Sequence, residues 1–241
     1  MRVIELQDDA FLGGQLVLAQ PAYGYRAGMD ALLLAASIEG APGQHLMEAG
    51  CGAGHAVLAA AHRLEACRFT GLERQAHLVH TAQANVLRNG MAGRVDIQEA
   101  DCLQDGPVFD GVFCNPPFDE SGRAQRPAAS RAHAYLTETA IDGWIKALAN
   151  RLRGGAALTL IHRAHRLADL LSAFEGRLGG VEIFPVRPRA DQPAKRVLIR
   201  ARKGSRQPLR LYAGLDLHEE GPSGHSARAQ ELWRGAALEW R

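Results

Sequence analysis

From about residue 44 the chain alternates short apolar runs with longer stretches whose apolar residues recur every three or four positions. Such alternation reads as strand and helix in turn. Residues 45–48 read as a strand and 54–66, rich in Ala and Leu, as a helix. A second strand is expected over 69–73, then a helix over 75–89 stopped by Gly90. Strands follow at 94–99 and 109–114, a helix at 137–153 ended by Gly154-Gly155, and a fifth strand at 156–162. A helix at 167–177 and two strands at 181–186 and 196–201 complete the pattern.

Strand and helix in alternation predict a parallel sheet wound by right-handed crossovers. The last two strands are separated by only about ten residues without helical periodicity, so that connection is expected to be antiparallel. The result is an α/β fold: a mostly parallel seven-stranded sheet, an antiparallel last strand, and helices on both faces. Residues 12–38 form the body of an N-terminal cap (1–40), before the main α/β domain at 41–204. Residues 205–241 read as an extension packed on the same domain, with a strand pair within 207–218 and a short helix at 226–235.

Composition narrows the class. A chain of 241 residues, 46% apolar and 22% charged, is that of an ordinary soluble protein with one large domain. Cys51, Cys67, Cys102 and Cys114 lie far apart, which argues against a zinc site or disulfide framework and fits a reducing compartment. No signal segment is evident, and the longest apolar run, 31–38, is too short to span a bilayer. A cytoplasmic location is therefore expected. The net charge is only +2, but Arg187 to Arg210 holds nine Lys or Arg residues against the single acid Asp191. That suits a polyanion partner, and equally a guarded strand edge.

Glu48-Ala49-Gly50-Cys51-Gly52-Ala53-Gly54 closes the first strand of this pattern and opens a helix. Glycines there permit positive φ and close backbone approach to a ligand. A dinucleotide fingerprint would place Gly or Ala where His55 stands, and no Gly-Lys-Ser/Thr follows for a phosphate loop. The acid-x-Gly-x-Gly-x-Gly form instead suits a cationic sulfonium cofactor, with Glu48 near its ammonium group. Glu73, ending the second strand, is placed to accept two ribose hydroxyls, and Asp101, ending the third, an adenine amino group. Cys51, Cys102 and Asn115 are further expected cofactor contacts.

Asn115-Pro116-Pro117-Phe118 closes the fourth strand at the same edge. An amino group conjugated to a ring or carbonyl is a poor nucleophile, because its lone pair is delocalised. The Asn115 side-chain oxygen and Pro116 carbonyl would grip its hydrogens and draw the nitrogen toward tetrahedral geometry. Prolines fix the backbone, and Phe118 offers a stacking face. No general base is needed. His162 and His165 lack a third ligand for a metal, and Trp144 reads as helix core.

With Phe11-Leu12-Gly13-Gly14, Gln20-Pro21-x-Tyr23-Gly24-Tyr25-Arg26-x-Gly28-x-Asp30-Ala31-Leu32-Leu33-Leu34 and Pro193-Ala194-Lys195-Arg196-Val197-Leu198-Ile199, these motifs carry a family likeness over about residues 11–202. The chain resembles the bacterial methyltransferases that modify N6 of adenine 37, beside the anticodon of a valine tRNA. The resemblance implies a Rossmann-like class I methyltransferase fold, S-adenosyl-L-methionine as cofactor and RNA, tRNA first, as partner. No membrane or metal is implied, and a monomer or weak homodimer is expected.

It also implies that Tyr25 and Arg26 lie over the cofactor, Arg26 pairing with its carboxylate. Asp30 reads first as the N-cap of a helix over 31–38. RNA phosphates would be met by Arg163, Lys195, Arg196, Arg202 and Lys203. Arg123, Arg126 and Arg131 would join them from a long loop, 119–133, that departs from the family pattern. Enzymes acting on guanine N2 of rRNA or glutamine N5 of a protein share the cofactor loop and Asn-Pro-Pro-Phe, so both remain alternatives. A non-catalytic RNA-binding protein of this fold is a third.

Overall fold

The computed structural model describes residues 6–21, 28–116, 140–219 and 224–241. Two strands, β1 (Leu6–Phe11) and β2 (Leu16–Pro21), pair antiparallel across a 3-10 turn at Leu12–Gly14, and α1 (Met29–Ser37) follows. The alternating core then runs β3 (His45–Ala49), α2 (His55–Arg63), β4 (Arg68–Glu73), α3 (Ala76–Arg88), β5 (Val95–Glu99) and β6 (Phe109–Cys114). It continues through α4 (Ala140–Asn150), β7 (Leu152–Arg163), α5 (Leu167–Phe174), β8 (Leu178–Arg187) and β9 (Arg196–Lys203). Two short strands, β10 (Arg210–Leu211) and β11 (Leu215–Asp216), and α6 (Ala227–Trp233) complete the described elements.

The main sheet has the order β10-β8-β9-β7-β6-β3-β4-β5, with β11 also on β8. Strand β9 slots between β7 and β8 and is antiparallel to both, while β3 to β7 are mutually parallel. The seven strands expected from periodicity are thus present with the expected directions. Both faces are covered. Leu46, Phe69, Phe113, Ile161 and Leu198 pack toward α1, α2 and α3, whereas Met47, Leu72, Val112, Leu158 and Leu160 pack toward α4 and α5. This two-sided burial is why the central strands read as continuous apolar runs.

Four expectations change. Gly154-Gly155 does not end a helix; it lies inside β7. The chain turns earlier, at Arg151, whose guanidinium donates to the Pro107 and Gln104 carbonyls at 2.8 and 3.0 Å and lies over the Phe109 ring. Helix α2 stops at Arg63, because the chain must turn at Leu64–Cys67 to bring Cys67 against Gly40. Strands β10 and β11 do not pair with each other; each pairs in parallel with β8. Asp30 is not an N-cap: Gly28 takes that position, and the Asp30 carboxylate pairs with the Arg196 guanidinium at 2.9 Å. By contrast α3 ends as expected, with Gly90 at φ +68° and the Met91 N–H bonded to the Val86 carbonyl. Among the described residues no helix is long and apolar enough to cross a membrane.

Candidate cofactor and acceptor site

Strands β3 to β8 deliver their carboxyl ends to one edge, where ligands bind in open α/β sheets. Gly50, Gly52 and Gly54 have φ of +70°, +56° and +90°, a region that residues with a Cβ avoid. The N–H groups of Gly50 and Cys51 both donate to the Leu72 carbonyl, at 2.8 and 3.0 Å, which ties the loop to the end of β4. A Cβ on Gly54 would press on Ala82 at 3.3 Å, so this glycine also lets α2 approach α3. A Cβ on Gly52 would meet nothing within 4 Å; that glycine faces open space.

Two carboxylates frame the loop. Glu73, buried at the end of β4, accepts the Gly52 N–H at 3.1 Å on one oxygen and the Gln75 N–H at 2.9 Å on the other. Glu48, at 3% exposure, has one carboxylate oxygen without a hydrogen-bond partner among the described residues. Burial holds its carboxyl well above the ordinary range near 4.5, and the Glu73 charge adds to this; a hydrogen bond from the Val57 backbone N–H opposes it.

Asp101 stands two residues beyond β5 rather than ending it. The Ala100 N–H still bonds to the Glu73 carbonyl at 3.0 Å; the chain then turns, and the Asp101 carboxylate accepts the Leu103 N–H at 2.9 Å. Cys51, Cys102 and Cys114 are buried nearby, and burial raises all three thiols, that of Cys102 to about 12. These thiols are inert walls rather than nucleophiles. Asn115, half-buried, and Pro116, buried, follow β6 directly. Pro117 and Phe118, with Tyr25, Arg26, Arg123, Arg126 and Arg131, lie outside the described residues.

The basic residues divide. Arg163, ending β7, sits opposite Arg196, opening β9, and exposed Lys195 precedes it at the site edge. Because β9 runs antiparallel, Arg202 pairs with Ala157 at the far edge, six residues or about 20 Å away. Lys203 is committed there: its ammonium donates to the Ala149 and Leu152 carbonyls, both at 2.9 Å, where α4 gives way to β7. The structure therefore does not bring Arg202 and Lys203 to the site. The far edge also holds the larger of two described cavities, about 590 Å³, lined in part by Arg153, Arg200 and Arg202 and remote from Gly50–Gly54.

Two further residues shape the site: Asn85, which sequence reasoning left out, and Trp144, which it read as helix core. Asn85, wholly buried on α3, donates to the Ala53 carbonyl at 2.9 Å and so braces the cofactor loop. Trp144, on α4, is only half-buried, and its ring tip would lie 3.4 Å from a Cβ on Gly50. Nothing in an isolated Trp at a helical position signals this.

Along the edge, charge changes sign. Asp101, Glu73 and Glu48 occupy the β5-β4-β3 half, with exposed Arg74 following Glu73, whereas Arg163, Arg166, Lys195, Arg196 and Arg189 occupy the half served by β7, β9 and β8. In that second half Arg166 pairs with Asp169 at 2.5 Å and Arg196 with Asp30 at 2.9 Å. Asn115 lies between the two halves, at the end of β6. The buried, half-satisfied carboxylate of Glu48 and the open space above Gly52 fit S-adenosyl-L-methionine, a cationic amine with an adenosyl group, far better than a polyphosphate. Among the described residues no group of three or more His, Cys, Asp or Glu is placed to hold a metal ion.

The profile described as methyltransferase small domain matches residues 27–169, more than half of the chain. The chain belongs to that family. Among its relatives, a tRNA1(Val) (adenine(37)-N6)-methyltransferase of Vibrio vulnificus is 32% identical over 136 residues, 56% of each chain. A ribosomal RNA small subunit methyltransferase C of Pseudomonas aeruginosa is 30% identical over 49% of this chain and 36% of its own. The chain thus spans about half the length of the N6-adenine relatives it matches first. Among solved structures, a predicted O-methyltransferase of Agrobacterium tumefaciens, protein Atu636, superposes with a TM-score of 0.73 at 29% identity. That likeness covers 88% of this chain and 99% of the other.

Proposed function

We propose that this chain transfers a methyl group from S-adenosyl-L-methionine to the N6 amino group of an adenine in RNA, with adenine 37 of a valine tRNA as the first candidate. The observation that carries the reading is the charge division about Asn115: acids on the cofactor half of the edge, bases on the other. A cationic methyl donor and a polyanionic acceptor would meet at that boundary. When bound, the cofactor supplies an electrophilic methyl group on sulfur.

The chain's own residues hold and orient. Glu48 receives the ammonium group, Glu73 the ribose hydroxyls, and Asp101 the adenine amino group. The backbone of Gly50, Cys51, Gly52 and Gly54 lines the floor beneath them, with Cys102 at the adenine end. At the acceptor, the Asn115 side-chain oxygen and the Pro116 carbonyl accept the two amine hydrogens, which localises the nitrogen lone pair for in-line attack. The amine proton leaves after attack, so no side chain need act as base. A base within an RNA loop reaches such a pocket only when splayed out of its stack. Arg163, Arg189 and Lys195 then neutralise flanking phosphates, whereas Arg196, paired with Asp30, is the less available base.

Transfer of labelled methyl from S-adenosyl-L-methionine to total tRNA, followed by nucleoside analysis, tests this reading. N6-methyladenosine is the expected product. The likeness to the Pseudomonas aeruginosa enzyme favours a second reading, methylation of guanine in ribosomal RNA; label in guanosine from ribosomal RNA would establish it instead. Label in neither nucleic acid would sink both.

A further inference from the structure

The roles assigned so far leave one large aromatic side chain at the site unexplained. Helix α4 buries Ile145 and Leu148 almost completely, yet Trp144 beside them stays half-exposed. Its ring tip, Cη2, would lie 3.4 Å from a Cβ on Gly50. The edge of the indole therefore reaches the first glycine of the cofactor loop, close enough that a Cβ there would be in van der Waals contact with it. It also packs on the buried cluster that holds Ala49, Leu72, Cys102 and Cys114, the residues adjoining Gly50, Glu73, Asp101 and Asn115. Beyond β5 the chain reaches β6 through residues 100–108, which form turns and no helix. Among the described residues, α4 is thus the helix above this part of the sheet that offers a planar surface.

A half-exposed indole bordering a glycine loop is built to receive a flat, partly apolar ligand: its face is hydrophobic and polarisable, and binding restricts few rotamers. We propose that Trp144 is a cofactor-binding residue, its indole forming the wall against which the adenosyl part of S-adenosyl-L-methionine lies. The proposal rests on the methyltransferase reading and adds a residue to it.

The test exploits the small number of tryptophans, three in the chain. Trp233 packs against His225 and Trp240 against Arg200, both in the C-terminal part of the chain. In the double variant Trp233→Phe/Trp240→Phe, indole emission comes from Trp144 alone. This protein is titrated with S-adenosyl-L-methionine while emission and acrylamide quenching are followed, with calorimetry in parallel. The expected result is an emission change that saturates with the heat, and reduced quenching at saturation. Trp144→Ala in the otherwise native chain should weaken calorimetric affinity about tenfold, the scale of removing one aromatic stack, and Trp144→Phe should restore most of it. Heat without any change in Trp144 emission or quenching overturns the proposal, as does unaltered affinity in Trp144→Ala. Absence of heat from the native chain overturns the methyltransferase reading itself, a separate outcome.

Discussion

The Asn85 amide pairs with Ala19 as a neighbouring strand would: it accepts the Ala19 N–H at 2.8 Å and donates to the Ala19 carbonyl at 2.9 Å. One helical turn on, Asn89 repeats the arrangement with Val17, at 3.1 and 3.0 Å. The match is geometric. Four residues of helix rise about 6 Å and two residues of strand about 6.6 Å, so an i, i+4 pair formed by the last turn of α3 and its C-cap keeps step with alternate residues of β2.

Asn85 is wholly buried and also holds Ala53, whereas Asn89 is bonded at the exposed edge. Removing Asn85 orphans buried backbone groups, each costing about 1–3 kcal/mol. Asn85→Ala should therefore lower unfolding stability by about 3 kcal/mol in urea titrations and weaken cofactor binding through the loop. Asn89→Ala should cost about 1 kcal/mol or less. Equal losses would show that burial does not set the difference.

Glu48 predicts a pH dependence with a definite sign. Its carboxyl in the folded, ligand-free chain is held well above the ordinary value near 4.5, chiefly by burial. A cationic ligand favours the carboxylate, so binding should expel a proton below the raised value. Affinity for S-adenosyl-L-methionine should climb as pH rises toward that raised value, then level off above it. The ligand-free chain should change in the opposite sense: the contribution of Glu48 is fully present below about 4.5 and is lost as pH rises through the folded-state value. Calorimetry in buffers of different ionisation enthalpy counts the proton, and Glu48→Gln should abolish both trends. A proton count unchanged in that variant would assign the coupling to another group.

Asn115→Ala should reduce methyl transfer by about 100- to 1000-fold, the scale of losing one aimed acceptor or donor in a preorganised site. Cofactor affinity should stay within about threefold, because binding is assigned to the other half of the edge. Single-turnover rates and calorimetry on the same preparation separate the two. A parallel collapse of affinity would place Asn115 in cofactor binding rather than in acceptor activation.

The division of basic residues predicts unequal salt effects. Replacing Arg189 and Lys195 by Ala should weaken RNA binding and reduce the slope of log affinity against log salt by about one to two, one for each phosphate no longer neutralised. Lys203→Ala should leave that slope unaltered and instead lower stability by about 1 to 2 kcal/mol, since two carbonyls lose their donor. A slope that responds to Lys203 and not to Lys195 would move the RNA to the far edge.

Much of this was legible in the sequence because it rests on local rules. Glycines at 50, 52 and 54 demand positive φ, Glu73 closes a strand, and the switch between helical and strand periodicity marks each crossover. What failed depended on distant partners. The basic run near the C-terminus reads as one patch until the length and direction of β9 send its two ends to opposite edges. Asp30 carries the composition of a cap, yet its partner is Arg196, 166 positions away. Gly154-Gly155 looks like a helix stop, but the turn is fixed by Arg151 reaching back to residues 104–109. Trp144 gave no signal, since a helical aromatic looks the same whether it faces core or ligand.

The placement of β9 has a cost during synthesis. All sheet partners of β8 among the described residues, namely β9, β10 and β11, follow it in the chain, and the outer edge of β7 waits for β9 as well. As the nascent chain leaves the ribosome, an open strand border persists until residues 196–203 emerge, and the greasy Phe184 ring waits longer still for Tyr212 and Trp240. A stalled or prematurely terminated product ending in that interval would be prone to aggregation.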